Sequence, residues 1–64
     1  MKLYIVKDNG WEWSIDIGIF KNKDNAIMCK ETFEKYGKVK TSLGDKTMFH
    51  RSSRVDIVEV LVDD

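Results

Sequence analysis

Between residues 11 and 19 the chain alternates strictly between large apolar residues and polar or small ones, and this pattern limits its possible folds most. A period of two is typical of a β-strand that buries one face. The apolar members are Trp11, Trp13, Ile15, Ile17 and Ile19. Helical spacing follows from residue 23 to residue 36, so the sequence predicts a sheet with one helix packed across it.

The size and cysteine content of the chain predict one small domain, residues 1–64. A chain of 64 residues is near the lower limit for folding without a metal or disulfides. Its hydrophobic fraction of 42% is typical of a globular chain. Cys29 is the single cysteine and cannot form an intrachain disulfide. No apolar run approaches the roughly 18 residues of a membrane span, so we expect a cytoplasmic protein.

The register of the N-terminal β-hairpin decides which apolar residues share a face. A two-residue turn would split the apolar residues between both faces of the sheet. A three-residue loop, with Gly10 in the left-handed conformation of a bulge, instead sets Leu3 opposite Ile15 and Ile5 opposite Trp13. The sequence therefore predicts the three-residue loop, with these four side chains beneath the helix.

Capping residues set the bounds of the helix. Asn22 is a suitable N-cap, and Gly37 suits the position after the last helical turn, so a helix from Lys23 to Tyr36 is predicted. Its apolar residues lie at spacings of three, four and three, which form one buried stripe. The members of this stripe are Ala26, Cys29, Phe33 and Tyr36.

Two structures remain open for residues 38–53. The segment can form a second hairpin around Gly44 and Asp45, which we favour, or a long irregular loop. A final strand from Arg54 to Val62 is apolar on both faces. The predicted fold class is therefore α+β with two layers: an antiparallel N-terminal β-hairpin, one α-helix packed on the sheet, a hairpin or long connector, and a C-terminal strand.

One helix cannot cover both apolar faces of such a sheet, and exposed contiguous apolar surface usually marks an interface. In the predicted register Tyr4, Val6 and Phe20 lie on the same uncovered face as the valines of the last strand. We expect this face to bind a larger protein or a second copy of the chain. The predicted protein-binding residues are Tyr4, Val6, Trp11, Phe20, Val58 and Val60.

A basic segment offers an alternative function. Residues 38–54 carry five basic side chains against one acidic residue, Asp45. Such a cluster can contact phosphates while an aromatic ring stacks on a base. The zero net charge of the whole chain argues against a dedicated nucleic-acid-binding domain. The residues of this alternative site are Lys38, Lys40, Lys46, Phe49, Arg51 and Arg54.

No catalytic or metal-binding motif stands out. His50 is the only histidine, and no cysteine or carboxylate stands at a recognisable metal-ligand spacing from it. A Cys29–His50 nucleophile pair would need an accessible thiol, whereas Cys29 falls on the buried stripe of the helix. Phosphate-binding glycine motifs are also absent from the sequence. We therefore expect a protein that is not an enzyme and uses no cofactor and no metal.

The strand–strand–helix–strand layout resembles a group of small bacterial and phage domains. In that group the second strand ends on Gly-x-Phe, as at 18–20 here, and a Ser-x-x-x-Ala-like segment opens the helix, as at 22–26 here. Asn22 stands where serine is usual, and the 38–53 connector has no counterpart. The resemblance implies a stand-alone domain but no activity.

Together the sequence and this resemblance predict a small, non-catalytic interaction protein of a kind common among phage-encoded proteins. It would act in the host cytoplasm as a binder or inhibitor of a larger host protein, for example a nucleic-acid-processing or defence enzyme. The alternative is a nucleic-acid-binding module that uses residues 38–54.

Overall fold

The computed structural model describes residues 1–10, 12–48 and 54–63. It confirms the two-layer α+β fold, with a three-stranded antiparallel sheet in the order β2-β1-β5, one helix packed on it, and a separate hairpin of β3 and β4. The elements are β1 (Lys2–Asn9), β2 (Ser14–Phe20), α1 (Lys23–Tyr36), β3 (Lys38–Thr41), β4 (Gly44–Thr47) and β5 (Arg54–Leu61).

Helix α1 has the predicted bounds, and its ends confirm the predicted caps. The Asn22 side chain accepts a hydrogen bond from the Asp24 backbone N–H at 2.8 Å. Gly37 ends the helix in the left-handed conformation, with φ of 72°, and its N–H donates to the Phe33 carbonyl at 2.8 Å. These two residues satisfy backbone groups that a helix end would otherwise leave without partners.

The buried stripe of α1 is confirmed except at its last member. Ala26, Cys29 and Phe33 are buried in the core. Tyr36 is 63% exposed, so the predicted burial of Tyr36 is wrong. The Lys35 ammonium lies 5.2 Å from the centroid of the Tyr36 ring. At about 100° per residue, position 36 lies at the margin of the stripe that the three earlier residues define.

The N-terminal strands pair antiparallel as predicted, but the predicted register is wrong. Ile5 lies opposite Ile19 rather than Trp13, and Ile15 lies opposite Asp8 rather than Leu3. Between the two strands the Gly10 N–H donates to the Trp13 carbonyl at 2.8 Å. Gly10 does not adopt the predicted left-handed conformation. β1 ends at Asn9 and β2 begins only at Ser14, whereas the predicted loop ended at Gly10.

A β-bulge in β2 interrupts the alternation on which the prediction rested. The register shifts between Val6 and Lys7 of β1, so that Ile17 is an extra residue between the partners Gly18 and Asp16. Ile15 and Ile17 pack in the core, whereas Ile19 points to the opposite face.

Gly18, next to the bulge, lies close to two side chains. A Cβ at this position would lie 2.8 Å from Phe20 Cε2 and 3.1 Å from Thr41 Cγ2. The β3–β4 hairpin approaches β2 at the same point, because the Thr41 hydroxyl donates to the Ile17 carbonyl at 2.6 Å. A larger residue at position 18 would therefore force the Phe20 ring and the Thr41 side chain to shift.

The changed register exchanges the two faces of β1. Val6 is fully buried, and Tyr4 and Phe20 pack against the core beneath α1. The prediction that these three side chains share an uncovered face with the valines of β5 is therefore wrong. Leu3 and Ile5, which were predicted to lie beneath the helix, point to the opposite face, since neighbouring residues of a strand alternate.

Of the two structures left open for residues 38–53, the hairpin is confirmed. Its turn is Ser42–Leu43, two residues before the predicted position, and Gly44 follows with φ of 102°. Val39 and Met48 pack against the core, so the hairpin extends the helix side of the domain. β5 ends one residue before its predicted end, and its two apolar faces are as predicted.

Candidate protein-binding face

The side of the sheet opposite α1 carries an apolar surface, which we call the open face. Its position follows from alternation, because Tyr4 and Val6 of β1 face the helix and their neighbours must point away. The partners of those neighbours on β2 and β5 share the same face. The apolar members of the open face are Met1, Leu3, Ile5, Ile19, Val58, Val60 and Val62.

Strand pairing makes these side chains contiguous. Ile5 lies in the middle, with Ile19 opposite it on β2 and Val58 opposite it on β5. Leu3 and Val60 form the next pair along the strands. Directly opposite residues on one sheet face have Cβ atoms about 4.5–5.5 Å apart, so the side chains touch their neighbours.

The outer members of the open face remain accessible to solvent. Ile19 and Val58 are each 38% exposed, and Met1 and Val62 are more than one third exposed. Leu3, Ile5 and Val60 are half-buried. Within the part of the chain that the structure describes, every apolar side chain that packs against the core lies on the helix side or in the hairpin, and none comes from the open face.

Paired charges lie at one end of the open face. Lys7 Nζ is 2.9 Å from Asp16 Oδ1 on β2. On the other side of β1, Asn9 Nδ2 donates to Asp56 Oδ2 at 2.9 Å and Arg54 Nε to Asp56 Oδ1 at 3.1 Å. The hydrogen bond from Asn9, with a smaller contribution from Arg54, lowers the pKa of Asp56. The apolar patch thus has a polar margin made of charges that already have partners.

The structure brings together only part of the predicted binding set. Val58 and Val60 lie on the open face, whereas Tyr4, Val6 and Phe20 lie on the helix side. Trp11 lies outside the described residues. Sequence reasoning missed the members contributed by β1 and β2, although one signal for them exists: residues 1, 3 and 5 are apolar with the same period as residues 58, 60 and 62. The missed residues are Met1, Leu3, Ile5 and Ile19.

The basic residues of the alternative site do not share one surface. Lys38 and Lys40 are exposed on one face of β3, and Asp45 lies opposite Lys40. Lys46 lies opposite Val39, on the other face of the hairpin. Arg54 begins β5 and pairs with Asp56. Of the remaining predicted members, Phe49 and Arg51 lie outside the described residues, as does His50.

Cys29 is expected to react slowly with thiol reagents in the native protein. Its side chain is 6% exposed, and burial raises the pKa of the thiol, so less reactive thiolate is present at any given pH. With Ellman's reagent at mild alkaline pH we expect labelling at least roughly 100-fold slower than in guanidinium chloride. A Met28→Cys variant in a Cys29→Ala background is the matched exposed control. Rapid labelling of the folded native chain would contradict the buried position of Cys29.

Neither a metal-binding cluster nor a membrane-spanning helix is found in residues 1–10, 12–48 and 54–63. No group of three or more His, Cys, Asp or Glu side chains is placed there to hold a metal ion. No helix in these ranges is long and apolar enough to cross a membrane.

Comparison with family models, with curated proteins and with solved structures finds no match to this chain. The function is therefore argued from the surfaces of the molecule. Of the predicted protein-binding residues, Val58 and Val60 lie on the open face, whereas the described basic residues of the alternative site share no single surface.

Proposed function

We propose that this chain is a small, non-catalytic interaction protein that binds a larger protein through the open face. The observation that carries the proposal is the contiguous apolar surface on β1, β2 and β5, which the helix leaves uncovered. Monomeric proteins seldom leave such a surface exposed without a binding role.

The composition of the open face favours a protein partner over a nucleic acid. Its centre is aliphatic, and the charges at its end are paired as Lys7–Asp16 and Arg54–Asp56. An apolar centre with a polar margin is the usual arrangement of a protein–protein interface. A nucleic acid would instead need a row of cations without acidic partners.

Ile5, Ile19 and Val58 are the residues on which we expect binding to depend most. They form one row across the three strands, and the central residues of an interface usually contribute most of its binding free energy. A chain of this size would act by occupying a surface on its partner. Inhibition of a larger host enzyme is one form of such action.

Val58→Lys is expected to weaken partner binding at least tenfold, because it places a charge at the β5 end of the apolar row, beside Ile5. The matched control is Met28→Lys on the outer side of α1, where the native side chain is 64% exposed. Partners are first captured with the intact chain from cells that carry its gene. The affinity of each captured protein for the two variants is then measured by calorimetry, after circular dichroism shows that both variants are folded.

The proposal is contradicted if Val58→Lys binds as tightly as the native chain, or if Met28→Lys is equally impaired. Failure to capture any protein above background would also contradict it. Light scattering of the purified chain, with and without Val58→Lys, separates a larger partner from self-association through the same face.

A further inference from the structure

β5 forms an outer edge of the sheet. The strand order is β2-β1-β5, so one side of β5 pairs with β1 and the other pairs with no strand among the described residues. β5 runs for eight residues, Arg54–Leu61. A strand of this length at an edge presents a row of backbone groups that can pair with another chain.

The hydrogen bonds at the end of the ladder show which backbone groups face outward. Met1 N donates to the Val62 carbonyl at 3.1 Å, and Val62 N donates to the Met1 carbonyl at 2.8 Å. Such doubly bonded pairs recur at every second residue of an antiparallel ladder. Val60 and Val58 therefore bond to β1, whereas the N–H and C=O groups of Glu59 and its alternate neighbours point outward. The outward residues are Val55, Ile57, Glu59 and Leu61.

We propose that the free edge of β5 accepts an extended segment of the partner protein as a fourth, antiparallel strand. This inference rests on the proposed protein-binding function and specifies how the partner binds. Backbone hydrogen bonds to the outward groups would fix the segment, and its side chains would alternate between the two faces of the sheet.

The side chains of β5 define the chemistry of that segment. Residues opposite Val58 and Val60 would lie on the open face, where apolar side chains would widen the patch. The residue between them would lie opposite Glu59 on the helix side, where a lysine or arginine fits the carboxylate. The matching segment therefore carries a basic residue between two apolar residues.

Charge selects this partner over a second copy of the chain. From residue 54 to residue 63 the chain carries Asp56, Glu59 and Asp63 against Arg54. Two such acidic strands placed side by side would repel each other, whereas a basic segment would be attracted. Glu59 already has Lys2 at 3.1 Å, with both side chains about half exposed, so this carboxylate accepts a cation in the free protein.

A peptide probe tests the strand addition directly. The probe is a fluorescein-labelled heptapeptide of alternating lysine and valine with blocked ends, and its binding to the intact chain is measured by fluorescence anisotropy. N-methyl groups on the inner lysines would remove the N–H groups that face β5, and we expect them to weaken binding at least tenfold. N-methyl groups on the valines face away from β5 and serve as the matched control.

Glu59→Pro tests the same contact from the protein side. Proline at this position removes an outward N–H and leaves the bonds to β1 intact, which is where an edge strand tolerates it. Glu59→Ala is the matched control, since it removes the carboxylate but keeps the N–H. We expect Glu59→Pro to bind the probe at least tenfold more weakly than Glu59→Ala does, with both variants folded by circular dichroism.

Strand addition is overturned if the probe does not bind, or if the proline and alanine variants bind it equally. Strand addition by a partner is also overturned if the native chain is a dimer and Glu59→Pro is a monomer, because a second copy would then occupy the edge. If a captured partner binds Glu59→Pro but not Val58→Lys, the proposed function stands and only strand addition is overturned. A partner that both variants retain would contradict both proposals.

Discussion

Replacing Phe33 with alanine is expected to leave most of the protein unfolded at room temperature. Phe33 is fully buried and is the largest such side chain in the core that the structure describes. Its truncation removes apolar contacts and leaves a cavity, which costs about 3–5 kcal/mol. A domain this small rarely has more than roughly 3–5 kcal/mol of stability in total. The substitution therefore removes most of the free energy of unfolding.

Circular dichroism and thermal denaturation check this expectation. Tyr36→Ala is the matched control, because it removes an aromatic ring from the last turn of the same helix, where the ring is mostly exposed. We expect Tyr36→Ala to change the stability by less than about 1 kcal/mol. A cooperative transition in Phe33→Ala at nearly the native midpoint would show that the core is not organised around this ring.

Helix α1 was predictable because its signals are local. Asn22 and Gly37 act on backbone groups within one turn of themselves, and the stripe formed by Ala26, Cys29 and Phe33 requires only the helical period. None of these features depends on what the rest of the chain does. The prediction that failed is the burial of Tyr36, which lies at the margin of this stripe.

The register of the first two strands was not predictable, because a β-bulge at Ile17 interrupts an alternation that is regular in the sequence. Beside the bulge, a Cβ at Gly18 would lie 2.8 Å from the Phe20 ring and 3.1 Å from Thr41 Cγ2 of the hairpin, so the chain is closely packed at this point. A sequence pattern cannot reveal this close packing, and the uninterrupted alternation from Trp11 onward favoured a straight strand. The extra residue of the bulge puts Ile19 on the face opposite to Ile15 and Ile17, and Ile5 lies opposite Ile19, so Leu3 and Ile5 exchanged places with Tyr4 and Val6.

The existence of an open face was predictable, but its full membership was not. β5 is apolar on both faces, and one helix can cover only one of them, whichever strand β5 pairs with. Val58 and Val60 were therefore placed correctly on the face away from the helix. The neighbours that complete the patch come from β1 and β2, and their identification needed the register.

Proline substitutions at adjacent positions of β5 are expected to have opposite outcomes, and this contrast tests the register on which both proposals depend. Met1 and Val62 share two backbone hydrogen bonds, and such pairs recur at every second residue of an antiparallel ladder. Val58 and Ile5 therefore also share two backbone hydrogen bonds. Val58→Pro would remove its N–H and leave the Ile5 carbonyl without that donor, at a cost on the order of 3 kcal/mol. Glu59→Pro removes an N–H that points outward, so we expect it to cost less than about 1 kcal/mol.

Urea denaturation of the two variants measures the difference, with Val58→Ala and Glu59→Ala as references for the loss of each side chain. Relative to its alanine reference, Val58→Pro should lose most of the stability of this small domain, whereas Glu59→Pro should remain folded. The reverse result would mean that the odd-numbered residues of β5 bond to β1. In that case the outward groups would belong to Val58 and Val60, and the edge that we propose for the partner strand would present a different set of donors and acceptors.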